Sequence, residues 1–67
     1  MEERLVEGQR FGRFVVLRDV NGQSHAVAIN AVSALAELDD GTLILLPGGR
    51  LIQTSSAIGD VLAWLNR

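Results

Sequence analysis

Few residue types capable of chemistry occur in this chain, and their spacing decides what each could do. The single histidine, His25, follows Ser24, and carboxylates occur elsewhere, so the residue types of a Ser-His-Asp triad are nominally present. No spacing brings them together, and no G-x-S-x-G elbow raises a serine on a sharp turn. His25 therefore reads as a strand-surface histidine. Asp39-Asp40 looks like a carboxylate pair, but adjacent side chains on a strand point apart, and acids before Gly41 are ordinary turn chemistry. Pro47-Gly48-Gly49-Arg50 could form an anion-binding nest of backbone N–H groups beside an arginine. A hairpin connection accounts for the same residues without a ligand.

Arg10-Phe11-Gly12-Arg13-Phe14 interleaves arginines with aromatics, a pattern that can contact phosphates while rings stack on bases. Under strict alternation Phe11 and Arg13 share one face and Arg10 and Phe14 the other, so core and solvent sides do not separate. A bulge at Gly12 would re-sort them. The net charge of −2 and pI near 5.1 argue against nucleic acid as a partner, since such binders usually carry a basic excess. Phe14 is therefore expected in the core with the arginines solvated. The nucleic-acid alternative rests on Arg10, Arg13 and Arg18.

Other chemistry is excluded by composition. All six basic residues are arginine, and there is no lysine, tyrosine or cysteine. Phosphate-cradling and Schiff-base lysines, phenolic catalysis, thiolate metal sites and disulfides are all absent. No catalytic residue, metal ligand or cofactor site is assigned, and an enzyme is not expected. Met1-Glu2-Glu3-Arg4 is acidic where a signal peptide is basic, and Leu43-Ile44-Leu45-Leu46 is far short of the roughly 20 residues of a membrane span. A cytoplasmic chain without membrane insertion is expected.

The elements that must position these residues belong to one small domain, residues 1–67, of 7.2 kDa. Asn21-Gly22 and Asp40-Gly41 are the dipeptides of two-residue type I′ hairpins, and Pro47-Gly48-Gly49 is a third break. The runs between them predict strands over Phe14–Val20, Gln23–Ile29, Ala34–Asp39, Thr42–Leu46 and Arg50–Thr54. Asn30 can cap a single helical turn before the third strand. Ser55 or Ser56 can cap a terminal helix whose stripe is Ile58, Val61, Leu62 and Leu65, widened by Ala57 and Trp64. Gly59 in that helix suggests a close approach to the sheet. Residues 1–12 are either flexible or an extra edge strand. The expected fold is α+β: an antiparallel meander of four or five strands with one C-terminal amphipathic helix.

Such a fold has too much apolar surface. The chain is 48% hydrophobic with a mean hydropathy of +0.24. In Leu43-Ile44-Leu45-Leu46 and in Phe14-Val15-Val16-Leu17 both faces of the strand are apolar, and one short helix covers only one face of a sheet. A second copy of the chain, or another protein, is the simplest cover. Val15, Leu17, Ile44 and Leu46 are expected at that interface, with Trp64 as its anchor. A curled half-barrel that buries both faces within one chain is the alternative.

From Phe14 onward the pattern resembles the small bacterial flagellar-associated FlbD/SwrD-like proteins. The matching pieces are Leu17 before Asn21-Gly22, Ile29-Asn30, the Thr42–Leu46 strand, Gly49-Arg50, and Ser56 through Val61. The family's acidic, lysine-rich character is missing here, and an N-terminal extension is added. The resemblance implies a non-enzymatic bacterial adaptor or regulator linked to motility. Together these readings point to a homo-oligomeric protein–protein interaction module of a bacterial or phage cytoplasm.

Overall fold

Turn chemistry divides the chain into two triplets of strands. The computed structural model describes residues 5–66, and the acidic start Met1-Glu2-Glu3-Arg4 lies outside them. The first triplet is β1 (Arg10–Phe11), β2 (Phe14–Arg18) and β3 (Ser24–Ala28), antiparallel in that order. The second is β4 (Ala34–Leu38), β5 (Gly41–Leu46) and β6 (Arg50–Thr54), likewise antiparallel in chain order. A 3₁₀ turn at Ile29–Ala31 separates the triplets, a second at Pro47–Gly49 joins β5 to β6, and α1 (Ile58–Leu65) follows. The class is α+β, but the strands form two three-stranded sheets in place of one meander of four or five. The additional strand is β1. Gly12, at φ +58, holds the first central position of the two-residue turn Phe11-Gly12-Arg13-Phe14, where a type II′ hairpin needs glycine.

Two of the expected hairpin loops use different chemistry. The β2–β3 loop is not a type I′ Asn-Gly turn: Gly22 N–H donates to the Asp19 carbonyl at 2.9 Å and Asp19 N–H to that of Gln23 at 2.8 Å. Val20-Asn21-Gly22 is thus a three-residue loop, and only Gly22 has positive φ. The Asp19 carboxylate holds it, with Oδ1 accepting the N–H groups of Asn21 and Gln23 at 2.9 Å each. In the β4–β5 hairpin Leu38 pairs with Gly41, so the loop is Asp39-Asp40, and neither acid has positive φ. Gly41 is required there by close approach, because a Cβ would lie 2.0 Å from the Thr54 carbonyl oxygen.

Division into two sheets accounts for much of the apolar surplus. Val15, Leu17 and Val27 of the first sheet, Ile44, Leu46 and Ile52 of the second, and Val61 of α1 are buried in one cluster. Burial of each such side chain stabilises the fold by about 1.5–3 kcal/mol. The sheets are each other's cover, and Trp64 and Leu65 of α1 pack against the same cluster. The helix presents Val61, Trp64 and Leu65 inward, spaced i, i+3 and i+4, while Leu62, expected in the stripe, is 51% exposed. Gly59 meets open space and marks no close approach. The single helical turn before β4 is present, but it starts at Ile29 with Ala28 as its cap, so Asn30 does not cap it.

Polar groups stitch the sheets together. Val20 N–H donates to the Gln53 carbonyl at 2.9 Å, tying the β2–β3 loop to β6. Glu7 does more: its Oε2 accepts the Arg18 N–H at 3.0 Å and the Thr54 hydroxyl at 2.7 Å, and its Oε1 accepts the Ser56 hydroxyl at 2.8 Å. Ser56 is therefore not a helix cap. The N-cap of α1 is Ala57, without a side-chain capping bond. Glu7 is delivered by a turn, Val6 to Gln9, closed by a 3.0 Å bond from Gln9 N–H to the Val6 carbonyl. Gly8 sits third in it at φ +89, as a type II turn requires. Gly8 and Gln9 together oppose Val16, a glycine bulge that bends the segment over β2.

Candidate functional site

With the inner faces consumed by the core, what a partner can reach lies on the outer faces, of which the first sheet's is closed at Val16, 1% exposed. The register of β4–β5–β6 places Ala34, Ala36 and Leu38 of β4, Leu43 and Leu45 of β5, and Leu51 and Gln53 of β6 on one side. None of these is charged. Leu51 is 58% exposed, and Leu43 and Leu45 are half-buried with only sheet neighbours beside them in the register. This is an apolar surface about three strands wide, or about 14 Å, and about 17 Å long.

The residues expected at an interface are elsewhere. Val15, Leu17, Ile44 and Leu46 all lie in the chain's own core, so they are unavailable to a partner. The β5 strand is apolar on both faces, but the opposite sheet, not a second chain, covers Ile44 and Leu46. Their neighbours Leu43 and Leu45 carry the open face. Gln53 is the signal that marks it. The three-residue loop Pro47–Gly49 sets Leu43 opposite Gln53 and Leu45 opposite Leu51, and a glutamine on that side points it toward water. Trp64 is half-buried against the core and against Gly8, where an added Cβ would lie 2.5 Å from the indole Nε1. It fastens the Glu7 turn to α1.

At the margin of the open face lies a cleft of about 300 Å³ lined by Asp19, His25, Leu43, Leu51 and Gln53, among others. His25 Nε2–H donates to Asp19 Oδ2 at 2.7 Å. That bond, with the N–H groups of Gln23 and Asn21 on Oδ1, holds the Asp19 carboxyl below its ordinary value, and partial desolvation opposes the shift. A histidine–carboxylate pair could serve a nucleophile, but the cleft wall has no hydroxyl, thiol or amine. Ser24 lies on the other face of β3, opposite Arg18. Asp39 and Asp40 line a second cleft beside Glu37 and the start of α1. Among the described residues no three His, Asp or Glu side chains group as metal ligands.

The Arg/Phe segment is arranged differently from its expectation. Phe14 is not a core residue. The turn at Gly12 puts Phe11 directly across from Phe14 on the outer face of the first sheet, 48% and 39% exposed. The Arg13 guanidinium stands 5.5 Å from the centroid of the Phe14 ring. Arg10 donates from Nε to the Gly12 carbonyl at 3.0 Å, and Arg18 donates from Nη2 to the Leu5 carbonyl at 2.7 Å. Gly12-Arg13 between two aromatics is the Gly-X signature of a type II′ loop, and that signal would have found the pair.

No helix among the described residues is long and apolar enough to cross a membrane. No protein-family model matches the chain, and neither a curated protein nor a solved structure matches it. The likeness to FlbD/SwrD-like chains thus stands on the residues quoted for it alone.

Proposed function

We propose that this chain is a non-enzymatic interaction module that pairs with a second copy of itself through the outer face of β4–β5–β6. The observation that carries the reading is the uncharged leucine surface formed by Leu43, Leu45 and Leu51. Apolar patches of this kind mark contact sites on small folds. A chain of net charge −2 repels its own copy wherever acids would meet, and this face carries none. Its dimensions place the dimer below the standard size of protein interfaces, so association is weak and reversible. The bare cleft beside the His25–Asp19 pair supports a non-enzymatic role, and the resemblance to flagellar-associated chains supports an adaptor or regulator of a bacterial or phage cytoplasm.

Sedimentation velocity over roughly 5–500 μM tests the pairing. The expected result is a shift from 7.2 kDa toward twice that mass, abolished by Leu51→Glu, whose exposed position tolerates the charge without unfolding. A monomer at every concentration overturns the proposal.

A further inference from the structure

The β1–β2 hairpin offers a second surface of different chemistry. Across the outer face of the first sheet runs one row, Phe11, Phe14 and Ala28, with each side chain directly opposite the next. The two rings are exposed, and Ala28 is too short to cover Phe14 from the far side. Arg13 is the cation at this row; Arg10 lies on the other side of β1, opposite Val15, and the run of arginines is bounded by Glu7 and Asp19. Arg13 already holds its guanidinium over one of the rings. Exposed aromatics on a sheet row, with the Arg13 guanidinium beside them, match the two repeating parts of a single nucleic-acid strand. Bases present flat π-faces, and the phosphates between them are anionic.

From this we infer that the Phe11–Phe14 end of the outer face of the β1–β2–β3 sheet binds single-stranded nucleic acid, with the two rings stacking on bases and Arg13 contacting the adjacent phosphate. The surface is separate from the leucine face, which lies on the other sheet. A duplex does not fit the same chemistry, because its bases are already stacked on one another and offer no free ring face. Two rings accommodate two or three nucleotides. Sequence preference is weak, since every base has a ring face to offer.

Fluorescence anisotropy of the full chain with fluorescein-labelled oligothymidylate of ten residues tests this, with a duplex of equal length and an inorganic polyphosphate as comparison probes. Binding is expected at low salt, with log K falling against log salt at a slope of about −0.7 for the one phosphate contact at Arg13. Phe11→Ala and Phe14→Ala each weaken it about tenfold at unchanged slope, and Arg13→Ala flattens the slope by about 0.7. Phe11→Leu, which keeps apolar bulk without a ring, behaves like Phe11→Ala. Circular dichroism confirms that each variant is folded. Three outcomes overturn the inference: no binding of oligothymidylate at 20 mM salt and about 1 mM protein, equal affinity for polyphosphate, or full binding by Phe11→Leu. A fourth, in which the phenylalanine variants alter self-association and leave oligothymidylate unbound, assigns the surface to a protein and overturns it as well.

Discussion

The hydroxyl of Thr54 donates a 2.7 Å hydrogen bond to the carboxylate of Glu7, 47 residues earlier in the chain. Thr54 is fully buried on the inner face of β6, so its hydroxyl has no water to turn to. The same carboxylate takes the Arg18 N–H and the Ser56 hydroxyl. One side chain thereby holds the end of β2 on one sheet to the end of β6 on the other. Removing it leaves a buried donor unsatisfied, which costs about 1–3 kcal/mol, and bonds to a charged acceptor add to the loss. Glu7→Ala should lower unfolding free energy by about 2–3 kcal/mol in urea titrations. Thr54→Val, which removes the donor and keeps the shape, should cost about 1 kcal/mol. In a double-mutant cycle the two changes should couple by about 0.5–2 kcal/mol; strict additivity would show that the bond contributes nothing.

Gly8 makes the Glu7 clasp geometrically possible. Its φ of +89 suits glycine, and the Trp64 indole occupies the space a methyl group would need. Gly8→Ala therefore combines left-handed strain of about 1–2 kcal/mol with a clash. It should destabilise the fold by more than 2 kcal/mol, since relief of the clash moves the indole. Trp64 is the only tryptophan, so its emission reports the movement directly. An unchanged spectrum and urea midpoint would show that the turn does not pack on α1 as described.

Most elements were legible in the sequence because their signals are local. The stretches of β2 to β6 and the terminal helix follow from apolar runs between turn residues, while the single helical turn lies at Ile29–Ala31, two residues before the place that an Asn30 cap predicts. What escaped is pairing at a distance. Leu43-Ile44-Leu45-Leu46 is equally apolar on both sides, so alternation alone does not say which side turns inward. That choice is made by Gln53, which shares a side with Leu43 in the β5–β6 register, and by the first sheet arriving opposite Ile44. Thr42 and Thr54 are polar side chains at inward strand positions that must find partners, which are the Ser56 carbonyl and the Glu7 carboxylate. Nothing near them in sequence names Glu7. Strict alternation separates Phe11 from Phe14, and the re-sorting at Gly12 is a chain reversal, not a bulge, which sets the two rings directly across from each other.

The assignment of inner and outer faces in β5 and β6 has its own check. Ile44 is fully buried among residues of both sheets and α1, so Ile44→Ala leaves a cavity and should cost about 2–5 kcal/mol. Leu51→Ala, on the open face, should stay within about 0.5 kcal/mol in dilute solution. Urea unfolding of both variants below the concentration of self-association decides it. Comparable losses would mean that the face bearing Leu51 is covered within the chain, which would also remove the ground for pairing through it.

Acid stability should follow Asp19. Its carboxyl is held below the ordinary value of 3.8, chiefly by the His25 hydrogen bond and then by the Gln23 N–H. A group whose folded pKa is depressed contributes stability that is fully present above the unfolded pKa, about 3.9, and that disappears as pH falls through the lower folded value. The unfolded chain takes up the proton first, so the contribution is intact at pH 7 and declines below about pH 4. Asp19→Asn keeps an oxygen for the Asn21 and Gln23 N–H groups but offers no carboxylate to His25. Its urea midpoint should lie below that of the wild type at pH 7, and the gap should narrow as pH is lowered from 5 to 3. A gap that is constant over that range would show that the charge on Asp19 plays no part in holding the β2–β3 loop.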